Sequence, residues 1–123
     1  MKALITTFWF FLTTLAYGQS LSLENPTYRS NDIEYTLIEA DEFFTTIHFK
    51  KYNEGSLIET GYYRNNKPHG TWVLYDSEGN RISAMKFNDG NRVSMEMNQN
   101  GRRVTILYLD NKPTEVTYYI ATN

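Results

Sequence analysis

From residue 33 onward, apolar and polar residues of this chain alternate one by one. Ile33, Tyr35 and Leu37 share one side of an extended backbone, with Glu34 and Thr36 on the other. Phe43, Thr45, Ile47 and Phe49 alternate with Phe44, Thr46, His48 and Lys50. Farther on, Val93, Met95 and Met97 oppose Ser94 and Glu96, while Val104, Ile106 and Tyr108 share a side. Val116, Tyr118 and Ile120 oppose Thr117 and Tyr119. Successive side chains of a strand point to opposite faces, so a period of two predicts strands with one dry and one wet face. Beyond the N-terminal apolar run, no window carries apolar residues at i, i+3, i+4 and i+7, and no helix is predicted.

The clearest punctuation lies in 61–79, GYYRNNKPHGTWVLYDSEG. Tyr62 and Tyr63 end one run. The segment Asn65 to Gly70 then predicts a turn, because Asn and Gly tolerate positive φ and Pro68 lacks an N–H. Thr71 to Tyr75 is β-branched and aromatic, which suits a pleated surface. Asp76 to Gly79 is a second turn signal, and the whole reads as a hairpin.

Two sets of turns recur downstream and interleave. One set is Tyr63–Lys67, Phe87–Asn91 and Tyr108–Lys112; the other ends at Gly55, Gly79 and Gly101. Gly55 to Gly79 is 24 positions and Gly79 to Gly101 is 22. Each period holds two strands and two turns, as a hairpin repeat requires. The predicted spans are 33–39, 43–52, 57–64, 71–76, 81–87, 92–98, 102–109 and 115–121. The fold class is therefore all-β: an antiparallel meander of stacked hairpins, about seven or eight strands in one domain over 33–123. A curled sheet or half-open barrel is the alternative, since twist accumulates across so many strands.

Gly61, Tyr63, Asn66-Lys67, His69-Gly70, Trp72, Tyr75 and Gly79 resemble the MORN-variant repeat, the bacterial form of the membrane-occupation-and-recognition-nexus motif. The likeness spans roughly residues 49–112 and is clearest in the first unit. After Asn91, Arg92-Val93-Ser94 stands where the pattern has Lys-x-His-Gly; past Lys112 only Pro113 survives. The resemblance implies an elongated sheet of stacked hairpins, a scaffold, or a surface that binds proteins or lipids.

The N-terminus has a different character. Met1-Lys2 precedes an apolar and Thr-rich run from Ala3 to Ala16, and Ala16-Tyr17-Gly18 has the small-x-small form of a cleavage site. Residues 1–18 are read as a secretory signal peptide, so the chain is expected to be secreted or periplasmic. The run is about 14 residues, short of the roughly 20 that a spanning helix needs; an uncleaved anchor is the competing reading. Residues 19–32, rich in Ser, Asn, Pro and Asp, read as a leader, with Leu21 and Leu23 candidates for a short edge strand. No transmembrane segment is expected in the mature chain.

Composition narrows the function classes. The chain has no cysteine, which removes disulfides, thiolate nucleophiles and a lipid anchor on cysteine. A net charge of −2 argues against a nucleic-acid partner, whose footprint is a clustered basic patch. The two histidines, His48 and His69, lack HxH or HExxH spacing, and a metal centre needs three or four converging ligands. Glu39, Asp41 and Glu42 lack the calcium-loop pattern and read as a solvated turn. No G-x-S-x-G elbow or glycine-rich phosphate loop occurs, so no catalytic residue, cofactor site or metal site is assigned and the chain is not read as an enzyme.

The aromatic residues remain. Tyr62, Trp72, Tyr75 and Tyr119 are the candidate binding face, either as ladders forming the core of the fold or as an exposed strip that meets a partner. The expected role is an exported module that binds a protein or joins a surface assembly; a glycan- or lipid-binding module is the alternative.

Overall fold

The computed structural model describes residues 21–99 and 101–120. The signal-peptide reading of residues 1–18 lies outside them. The described chain is one open antiparallel sheet of nine strands arranged in sequence order, without a crossover. The strands are β1 (Thr27–Ser30), β2 (Ile33–Ala40), β3 (Thr45–Asn53), β4 (Ser56–Arg64), β5 (Lys67–Tyr75), β6 (Arg81–Asn88), β7 (Asn91–Gln99), β8 (Arg102–Leu109) and β9 (Lys112–Ile120). The described residues contain no helix, in keeping with the period-two pattern. The two outer strands do not meet, so the sheet is open rather than a closed barrel.

The interleaved turn sets fall at opposite ends of the strands. Asn65-Asn66, Asp89-Gly90 and Asp110-Asn111 share one end, and all six residues have positive φ, as type I′ hairpin turns require. Neighbouring turns at this end are tied by side chains. Asn65 Oδ1 accepts from the Thr45 N–H at 2.9 Å, and Asn111 Oδ1 accepts from the Arg92 N–H at 2.9 Å. Between them, the Gly90 N–H donates to the Pro68 carbonyl at 2.8 Å.

Two details differ from the expectation. The break after Tyr63 is only two residues long: Lys67 to Gly70 already belongs to β5. Pro68 stands opposite Tyr63, one step beyond the closing pair Arg64–Lys67, and its carbonyl points to the next turn rather than to β4. A proline is tolerated there because that position owes β4 no N–H. Gly70, at φ 74°, lies in the bulge between the Tyr62–His69 and Thr60–Val73 pairs.

The sheet also starts earlier than the alternation predicts. Thr27–Ser30 pairs with β2, and Leu21, instead of lying in an edge strand, folds onto the sheet. At 2% exposure it is the most enclosed large side chain among the described residues. It packs with Leu37, Ala40 and Ile47, flanked by Tyr28 and Tyr35. The Leu37 N–H donates to the Pro26 carbonyl at 2.8 Å, continuing the β1–β2 pairing just ahead of Thr27.

Candidate functional site

Register sorts the side chains onto two faces. Pairing of Leu37 with Ile47, Ile47 with Tyr63, and Phe49 with Gly61 defines an apolar face. It continues through Trp72–Met85, Met85–Met95, Met97–Val104 and Ile106–Val116. The opposite face is more polar. It carries Thr36–His48, His48–Tyr62, Tyr62–His69, Ala84–Glu96 and Glu96–Thr105.

At the middle of the apolar face four rings interlock. Phe49 lies 4.9 Å from Trp72 and 5.7 Å from Tyr63; Trp72 lies 5.3 Å from both Tyr63 and Phe87. The contacts made by Trp72 are edge-on, the arrangement that aromatic quadrupoles favour. Gly61 makes this possible. A Cβ there would stand 2.7 Å from atoms of both Phe49 and Trp72, so only a missing side chain lets the rings close over the backbone. The Trp72 indole N–H donates to the Tyr62 carbonyl at 3.0 Å, so its polar end is satisfied. Burial raises the Tyr63 phenol above its ordinary range, because the phenolate would lose water.

The four aromatic candidates do not come together. Trp72 belongs to the ring cluster. Tyr62 lies on the opposite face, stacked on His48 at 4.7 Å. Tyr75 ends β5 and borders a shallow cleft with Leu57 and Glu78. Tyr119 sits on the last strand, 57% exposed, on the face shared with Arg103.

The histidines and the acidic cluster brace the sheet. His48 and His69 flank Tyr62 across three strands, about two strand spacings or ~10 Å apart. Burial and the neighbouring Lys50 lower His48 from its usual value. Arg64 links the second and fifth strands: one guanidinium nitrogen is 3.6 Å from Glu39 and another 3.2 Å from His69 Nε2. Its charge lies 3.6 Å over the Phe44 ring, and Thr46 donates to Glu39 at 2.8 Å. Asp41 accepts the N–H groups of Phe44 and Phe43, which hold its carboxyl below the usual range. Among the described residues no group of three or more histidines and carboxylates is placed to hold a metal ion.

Sequence reasoning missed the Arg64 network, since nothing in the spacing of Glu39, Arg64 and His69 marks them as neighbours. The Gly61–Trp72 contact did have a signal, as both residues belong to the repeat pattern.

No protein-family model, curated protein or solved structure matches this chain. Among the described residues no helix is long and apolar enough to cross a membrane.

The apolar face is covered unequally. Leu21 lies over its first strands. Beyond Phe87 the same face carries Met95, Met97, Val104, Ile106, Val116 and Tyr118; Val104 is buried and Met95, Met97 and Ile106 are half-buried, although no second layer lies over them among the described residues. Val116 and Tyr118 are exposed. This less covered half, outside the four aromatics chosen from the sequence, is the candidate interaction surface.

Proposed function

We propose that this chain is an exported, non-enzymatic β-repeat module of the MORN-variant kind that binds a protein partner. The observation that supports it most is the exposed apolar strip of Val116, Tyr118 and Ile120 along β9. A soluble chain rarely leaves a contiguous apolar strip open unless something covers it. The flexible thioethers of Met95 and Met97 suit a surface that adapts to a partner. Export is supported by the N-terminal pattern, and N-terminal sequencing of the secreted chain beginning at Gln19 is the expected result.

Photo-crosslinking tests the binding reading. A photoreactive residue in place of Met95 should give one adduct of fixed mass, and Met97→Lys should abolish it. The same residue in place of Thr105, on the polar face, should give none. Equal labelling from both faces sinks the reading. Glycan-array binding or co-sedimentation with liposomes, lost in Met97→Lys while no protein adduct forms, would favour a glycan or lipid instead.

A further inference from the structure

The two edges of the sheet are not equivalent. On the first, β1 has only four residues, and beside it the Pro26 carbonyl already occupies the Leu37 N–H. On the last, β9 has nine residues and nothing beyond it among the described residues. An open edge presents unpaired N–H and C=O groups, which folded proteins normally blunt with lysine, proline or a bulge. In β9 those devices are confined to its start: Lys112, Pro113 and the register shift beside Tyr108. From Glu115 to Ile120 there is one charge in six residues. Val116, Tyr118, Tyr119 and Ile120 are all exposed, on both faces of the strand.

We infer that β9 is a self-assembly edge, pairing antiparallel with β9 of a second copy about a two-fold axis through Thr117. This deepens the protein-binding reading by naming one partner. In that register Val116 of each copy stands opposite Tyr118 of the other, and Glu115 opposite Tyr119. Aromatic and β-branched residues make favourable cross-strand pairs, as Val104–Tyr118 already does within the sheet. Thr117 meets itself, matching its existing pair with Thr105. Glu115 never faces another Glu115, so no like charges oppose. An axis perpendicular to the sheet keeps both apolar faces on one side, and they join into a continuous surface. The first edge cannot substitute, because its free strand is too short to match residues 114–120.

The chain's lack of cysteine permits a direct test on the full chain. Residues directly opposite in an antiparallel pair have Cβ atoms about 4.5–5.5 Å apart, close enough for a disulfide after slight adjustment. Thr117→Cys should convert to a covalent dimer on mild oxidation, whereas Thr105→Cys, inside the sheet, should not. Light scattering of the unmodified chain should give twice the single-chain mass. Tyr118→Lys, at an exposed position the fold tolerates, should halve it with an unchanged far-ultraviolet spectrum. A single-chain mass at every concentration, equal crosslinking of both cysteine variants, or a Thr117→Cys adduct only to a different protein would overturn self-pairing. If the chain is monomeric yet still gives the Met95 adduct, self-pairing fails and the partner-binding reading stands. If it dimerises and Met95 gives no adduct to another protein, self-pairing stands and the separate partner fails.

Discussion

Strands β2–β5 and strands β7–β9 carry the same alternation and present the same apolar face, but the first group has that face more fully covered. Leu21 caps Leu37, Ala40 and Ile47, and next to them Phe49, Tyr63 and Trp72 close over Gly61. In β7–β9 the equivalent positions hold Met95, Met97, Val104, Ile106 and Val116; of these Val104 is buried and Val116 exposed, with no covering segment among the described residues. The lesson is that a period of two specifies which face is dry, not what dries it. The first group supplies its cover from its own chain, through Leu21; on β9 Val116, Tyr118 and Ile120 stay exposed.

Substitutions should separate the halves. Trp72→Ala is expected to have the largest effect, destabilising the chain by about 3 kcal/mol in urea unfolding, because a large ring and its hydrogen bond are lost from the cluster. Loss of binding in this variant would report stability, so it is not a test of a binding face. Leu21→Ala should cost about 2–3 kcal/mol through the cavity it leaves. If it is neutral, Leu21 is not the cover described above.

Acid should act next, through the first group. His48 is lowered by burial, so the folded chain binds fewer protons than the unfolded one. Its stabilising contribution is complete above the unfolded value near 6.5 and is lost as pH falls through the lower, folded value. Asp41 and Asp76 are lowered by hydrogen bonds from backbone N–H groups. Their contribution is complete above the unfolded value near 3.8 and disappears as pH falls further. The urea midpoint should therefore fall in two stages, and His48→Gln should flatten the first. An unchanged slope below pH 6.5 in that variant would remove His48 as its source.

The smallest effect belongs to the less covered half. Tyr118→Ser should shift the stability of dilute chain by no more than about 0.5 kcal/mol, as for other exposed sites. A larger loss at high concentration than at low would sharpen the contrast, since it would place the contribution of Tyr118 between chains.

Much of the fold was legible. The alternation of Ile33 to Leu37, Val93 to Met97 and Val116 to Ile120 marked strands, and the recurring Asn, Asp and Gly pairs marked hairpin turns. These are local signals, because side-chain direction and positive φ depend on a few consecutive residues. The start of the sheet was not legible: Thr27–Ser30 is short, and Leu21 gains its meaning only from residues sixteen or more positions away. The extent of β5 was also misjudged, since Pro68 and Gly70 read as breakers until the register shows where their backbone groups point. The candidate surface was only partly visible. Tyr62, Trp72, Tyr75 and Tyr119 were singled out by type, but their faces and neighbours separate them.

By itself the sequence determined that this chain forms pleated strands, where most of them turn, and which side chains share a face, since each follows from backbone geometry over a few residues. Only the tertiary structure decided which part of the apolar face is covered, which rings meet over Gly61, and which edge stays open. Those outcomes depend on segments distant in sequence arriving at the same place, and neither periodicity nor residue type encodes that meeting.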